Sequence, residues 1–171
     1  PNFSMDSEKL EAVRSAGFLY DSSFNAIRRY KEPTLSRVPQ SEPAGIATRF
    51  SDGLYELPIS NLSLSGASIP WGGGGYFRLF PLSLFLRGVR KILRRERAYV
   101  FYSHPWEFDP EQPRIREVRP LPRFRHYLNL HRTLPRFIRL IQGLSGARFL
   151  TCKQYLYMVS RGQEAGSEGG P

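Results

Sequence analysis

The chain has 171 residues, 40% of them apolar and 23% charged, which suits one globular domain or most of one and is too apolar for a disordered chain. A single cysteine excludes a disulfide framework, and no apolar run approaches the roughly 20 residues that span a bilayer. The net charge of +10 is lopsided: residues 1–86 hold eight basic and eight acidic side chains, residues 87–171 hold 17 and seven, and 21 of the 25 cations are arginine.

Pro1-Asn2-Phe3 leads straight into a helix start, which reads as the opening of a piece of a longer protein. Asp6 or Ser7 can cap a helix with apolar positions Leu10, Val13 and Ala16, and Gly17 stands where a left-handed stop is expected. Phe18-Leu19-Tyr20 then reads as a short buried strand ending in the polar turn Asp21-Ser22-Ser23. Residues 31–53 carry three prolines and no sustained period, which predicts a loop. Short strands are expected at Leu54–Leu57 and Leu62–Leu64, and Gly72–Gly75 reads as a hinge or a plain loop.

The clearest periodicity follows. Leu82, Phe85, Leu86, Val89, Ile92 and Leu93 recur at three- and four-residue spacing and predict a helix. Ala98–Tyr102 is a continuous apolar and aromatic run that predicts a central strand covered on both faces, with Tyr102 in the core. A second helix is expected from Pro135 to Leu144, capped by Thr133 and closed by Gly146, before a strand at Arg148–Thr151. Gly162–Pro171 is polar and glycine-rich and reads as a disordered tail. Helices alternating with short buried strands predict an α/β fold with parallel strands.

Chemistry in such folds collects at the C-terminal ends of strands. His104 follows the strand-like run directly, Pro105 fixes the next φ, and Trp106 can either wall a pocket or fill core. An imidazole with an ordinary pKa near 6.5 can give or take a proton at neutral pH, although a histidine can also close a strand structurally. Asp21 ends the other strand, where it either caps its own turn or supports chemistry. Glu107 and Asp109, a carboxylate pair two apart, could take part in chemistry but read more strongly as a solvated loop, and Cys152 as a small buried residue with no adjacent base. His126 and His131 lie five apart in an arginine-rich loop, a spacing that does not make a zinc site.

Three stretches carry a family resemblance: Gly74-Gly75-Tyr76-Phe77-Arg78-Leu79, Val100-Phe101-Tyr102-Ser103-His104-Pro105-Trp106-Glu107-Phe108-Asp109-Pro110 through Pro113, and Arg123-Phe124-Arg125-His126-Tyr127-Leu128-Asn129-Leu130. With Pro1-Asn2-Phe3-Ser4 and Gly17–Ser23, they resemble the polysaccharide deacetylases of bacterial exopolysaccharide gene clusters over residues 1 to 152. The resemblance implies a chain made of residues 1–152, the C-terminal portion of a deacetylase domain with its extension, and 153–171, a segment ending in the tail. It implies an α/β fold that is the incomplete C-terminal part of a deformed (β/α) barrel. It also implies hydrolysis of N-acetyl groups on a glycan by water bound to a divalent metal, commonly zinc. His104 matches the general acid, in a Leu-x-His-type motif represented by Tyr102-Ser103-His104. Asp21 would be its electrostatic support and Trp106 would line the substrate groove. Pro1 matches the proline of an Arg-x-Pro motif.

Two departures qualify that expectation. The family's paired aspartates and spaced histidines are absent here, so the metal ligands are expected upstream of Pro1 and the chain alone should not deacetylate. Phe24 and Asn25 stand where relatives carry an Asp and a Trp that tune the histidine, which leaves the partner of His104 open. The expected partner is an N-acetylated polysaccharide, with no nucleic acid and no membrane span; relatives occur in the bacterial cytoplasm or periplasm, and the sequence does not choose between them. The rival reading is a non-catalytic module whose basic stretches, Arg87–Arg97 and Arg114–Arg125, hold nucleic acid or an anionic glycan.

Overall fold

A computed structural model describes residues 7–23, 41–64, 67–115, 117 and 119–167. They fall into two compact units. One contains the chain through Ile59, Glu96–Ala98 and the segment from Phe149; the other contains Ser60–Arg95 and Tyr99–Arg148.

In the first unit, helix α1 (Ser7–Ser15) buries Leu10 against Phe50 and Leu54, with Val13 packed beside them. Its expected stop is present. Gly17, at φ +73°, donates its N–H to the Arg14 carbonyl and Phe18 donates to Val13, closing the last turn as a left-handed glycine cap does. Arg14 at the helix end pairs with Asp52 and Glu11. Asp6 lies outside the described residues, and Ser7 is already the first helical residue.

A four-stranded sheet follows in the order β1–β4–β3–β2, from β1 (Tyr20–Asp21), β2 (Ser41–Ala44), β3 (Ala47–Phe50) and β4 (Tyr55–Glu56). The strand expected at Phe18–Tyr20 begins two residues later, at Tyr20, and leaves Phe18 63% and Leu19 45% exposed. The predicted loop is overturned at residues 41–50, which form a hairpin; residues 31–40 lie outside the described residues. Pro43 is accommodated because β2 is an outer strand of the described sheet, where a missing N–H costs no ladder bond. Helix α6 (Cys152–Ser167) buries Leu156, and its Tyr155 hydroxyl accepts the Ile46 N–H at 3.0 Å. Its backbone takes in the first residues of the stretch read as a tail; residues 168–171 lie outside the described residues.

The second unit contains the hairpin β5 (Asn61–Leu64) and β6 (Ala67–Pro70). Helices α2 (Gly74–Leu79), α3 (Leu82–Glu96), α4 (Pro120–Tyr127) and α5 (Leu130–Gln142) follow, with a 3₁₀ turn at Pro105–Phe108. Its core gathers Trp71, Phe77, Phe85, Val89, Ile92 and Leu140, so the apolar face predicted for α3 is the face that is buried. Trp71 stacks on Phe85 with centroids 5.3 Å apart and donates its indole N–H to the Phe85 carbonyl at 2.9 Å.

Several expectations change here. Ala98–Tyr102 is extended but not a strand: Val100 N–H donates to Ser60 Oγ, the Tyr99 hydroxyl to the Trp71 carbonyl, and only Tyr102 pairs, through a parallel bridge to Gly73. Side chains hold this segment where a ladder was expected. Arg148–Thr151 is likewise not a strand. The glycine run is no loose hinge, since Gly74 begins α2 and its N–H donates to the Tyr102 carbonyl at 2.9 Å. Helix α5 starts at Leu130, five residues before Pro135, and ends before Gly143; Thr133 lies inside it, bonded to the Asn129 carbonyl. The fold is mixed α/β, as expected, but its sheets are mostly antiparallel and the described residues form no closed barrel. Two-residue connections at Gly45-Ile46 and residues 65–66 join neighbouring strands, and links that short can only return the chain antiparallel.

Candidate functional site

The described residues bring together His104 and Trp106. Pro105 opens the 3₁₀ turn Pro105–Phe108, which brings the Trp106 indole back over the His104 ring with centroids 3.9 Å apart and planes 11° from parallel. On its other side the imidazole meets the Tyr102 hydroxyl, 2.8 Å from Nε2 and 3.1 Å from Nδ1. His104 is half-buried between these two aromatic side chains, with Tyr102 37% and Trp106 43% exposed. Tyr102 is therefore not core, as its place in the strand-like run implied. Its backbone is fixed by the bridge to Gly73, and the run ends there, so its ring stands at the surface beside the histidine. Burial, and then the Glu107 carboxylate nearby, push the Tyr102 phenol above its ordinary pKa, which keeps its hydroxyl protonated.

Glu107 is the largest departure from the sequence reading. It is not a solvated carboxylate: it is 4% exposed and forms an ion pair with Arg78, which is 5% exposed. Arg78 Nε and Nη2 both donate to Glu107 Oε1, at 3.2 and 2.8 Å. Glu107 Oε2 accepts the backbone N–H of His104 at 2.9 Å, and the Glu107 N–H returns to the His104 carbonyl at 3.0 Å. The remaining Arg78 donor, Nη1, caps three carbonyls where α4 meets α5: Arg125, His126 and Leu128, at 3.3, 2.9 and 2.8 Å. The buried charges are thus paired and satisfied by hydrogen bonds, as burial of an ion pair requires. The pair fixes the backbone that presents the imidazole.

A second set of bonds holds the turn from outside. Gln112 donates to the carbonyls of Trp106 and Asp109 at 2.6 and 2.8 Å, and its side-chain oxygen lies 2.7 Å from His126 Nε2. Because the amide nitrogen of Gln112 is committed as donor, its oxygen accepts and His126 Nε2 carries the proton. His126 lies on α4 and His131 on α5, not in one loop. Among the described residues no cluster of three His, Cys, Asp or Glu side chains could hold a metal.

Asp21 is in the other unit from His104. Its two carboxylate oxygens accept the Ser23 N–H at 3.0 Å and the Ser23 hydroxyl at 2.9 Å, the turn-capping role that sequence left open beside an electrostatic one. Cys152 is half-buried at the start of α6, and Tyr20 beside it has its phenol pushed up by burial and by that neighbour.

Arg78 was not singled out from the sequence, and Glu107 was misjudged. One signal was present: Glu107 stands three residues after His104 with a proline between, the spacing at which an N3 carboxylate reaches back to a cap N–H. Arg78 has no such local signal, because all its partners lie 29 to 50 residues away.

A family described as a domain of unknown function, DUF3473, matches residues 22–157. No curated protein and no solved structure matches the chain.

Proposed function

The chain belongs to the DUF3473 domain family, and from that membership together with the setting of His104 we propose that it is the C-terminal portion of a metal-dependent polysaccharide deacetylase. The reaction is hydrolysis of N-acetyl groups on a glycan. What supports this reading is His104: a half-buried imidazole between the Tyr102 hydroxyl and the exposed Trp106 indole, on a backbone pinned by a buried ion pair. A proton-transfer group needs a fixed orientation, and the Tyr102 hydroxyl and the Trp106 stack hold this ring in one.

In this reading His104 delivers a proton to the departing amine. The Tyr102 hydroxyl orients the ring, and the outer face of Trp106 offers apolar surface to a sugar ring. Asp21 is retained as an electrostatic support of the whole enzyme. No cluster among the described residues fits a metal; this reading puts the divalent ion on residues outside the chain and routes no step through it. The scaffold in this proposal is the C-terminal part of an incomplete barrel, and the chain alone is inactive.

The test is acetate release from an N-acetylated oligosaccharide by the full-length enzyme. His104→Ala should lower turnover by roughly 10²–10⁴ while metal content stays unchanged. Wild-type turnover in that variant would remove His104 from the mechanism. A second reading, a basic module holding nucleic acid or an anionic glycan without chemistry, is favoured by one observation: the unit that carries His104 has 15 Lys and Arg against four Asp and Glu. It requires binding that falls steeply with salt.

A further inference from the structure

Residues 114–128, which include α4, contain five arginines against one acidic residue, Glu117. No side chain of α4 is buried. Leu121 and Phe124 are 69% and 60% exposed and stand three residues apart, on one face of the helix. A helix in a globular chain ordinarily turns its apolar stripe to the core, and a single exposed leucine needs no explanation. In α4 the half-buried positions are taken by Arg123, His126 and Tyr127, so both large apolar side chains are turned out together.

That outward face is fixed in place by hydrogen bonds. Arg78 Nη1 ties down the end of α4 through the carbonyls of Arg125, His126 and Leu128, and His126 Nε2 bonds to Gln112 at 2.7 Å. The Tyr127 hydroxyl accepts the Ile115 N–H and donates to the Pro113 carbonyl, each at 3.0 Å, and the Arg114 guanidinium lies 5.2 Å over its ring. Exposed Ile115 is thereby tied to the same helix. Arg114, Arg119 and Arg125 are exposed, and among the described residues their side chains make no ion pair and donate no hydrogen bond. Their donors face solvent.

We propose that α4 with residues 114–115 is a peripheral docking surface for an anionic lipid bilayer. Ile115, Leu121 and Phe124 enter the boundary between headgroups and acyl chains, while the three arginines meet lipid phosphates, as the two faces of an interfacial helix do. Charge and shape together favour the bilayer. A nucleic-acid backbone would satisfy the arginines but gives aliphatic side chains nothing apolar to enter. A protein groove takes a longer row of anchors at i, i+3, i+4 and i+7, and α4 offers two before it ends. The surface is independent of the role proposed for His104, although Arg78 and Gln112 tie α4 to the histidine's turn.

The chain is sedimented with extruded vesicles of phosphatidylcholine alone and of phosphatidylcholine with added phosphatidylglycerol. Binding to the anionic vesicles is expected, falling with added salt, with little binding to the neutral ones. R119Q/R125Q should weaken it by about 25-fold, roughly fivefold for each surface cation removed. L121S/F124S should weaken it by about tenfold without lowering the urea midpoint, since neither side chain is buried. R87Q/R94Q removes the same charge from exposed positions of α3 and should leave most of the binding. No binding to anionic vesicles overturns the proposal and leaves an acidic protein partner for this face. Parent-like binding by L121S/F124S, or equal loss in the two arginine double variants, overturns it as well, because unspecific attraction of a basic chain would then suffice.

Discussion

The backbone of His104 is positioned by groups that never touch its ring. Glu107 accepts the His104 backbone N–H, Arg78 holds Glu107, and Arg78 is itself anchored by three carbonyls 47 to 50 residues away. Removing one partner of such a buried pair leaves an uncompensated charge, a loss of about 3–5 kcal/mol. Glu107→Gln should therefore destabilise the chain by that amount in urea unfolding. It should also weaken the His104–Trp106 stack, read as a downfield return of the imidazole proton resonances now shielded by the indole face. A variant as stable as the parent would show Glu107 to be solvated after all. The sequence marks His104 and Trp106 because they directly follow the apolar run 98–102 and lie in a stretch that carries the family resemblance. It hides Arg78 because the meaning of a lone arginine comes from partners distant in the chain.

At the scale of elements, α3 was legible because six apolar residues at helical spacing need only local geometry to define a face. The arginine-rich loop expected around His126 and His131 is largely helix: Pro120 and Pro122 fall in the first turn of α4, where proline is tolerated because no intrahelical N–H bond is lost. Helix α5 begins before Pro135 because Asn129, at φ +55°, donates its side-chain amide to the Arg78 carbonyl and accepts the Thr133 hydroxyl on its own carbonyl, anchoring a turn that proline alone would not start. The glycine run has an equally specific cause. A Cβ at Gly74 would lie 2.2 Å from Glu107 Oε2, so α2 can begin there only without a side chain. Gly74→Ala should displace the Glu107 carboxylate and lower stability by about 1–3 kcal/mol, the range of overpacked sites. In contrast, Gly75→Ala, with open space at its Cβ, should be neutral or slightly stabilising in the same unfolding measurement.

Across the whole molecule, alkaline pH should be the weak side. Tyr20, Tyr99 and Tyr102 all have phenols pushed above the ordinary value near 10, in each case chiefly by burial. The unfolded chain then releases these protons before the folded one does. The stability they confer is complete below about pH 10 and is lost as pH rises from there toward the raised folded values. Unfolding free energy should fall across that window, and Tyr99→Phe, which removes the most buried of these three phenols, should flatten the fall. A slope unchanged by Tyr99→Phe would exclude that residue as a source.

Composition alone determined that the chain is rich in arginine, with its positive charge gathered toward the C-terminal half, because those properties are sums over residues. Periodicity determined α1 and α3, since a helix face repeats within a few residues. Tertiary structure decided what the carboxylate at position 107 does, why the 98–102 run is not a strand, and that α4 leaves Leu121 and Phe124 exposed. Burial and long-range hydrogen bonding set each of these, and both depend on partners that a linear reading cannot place.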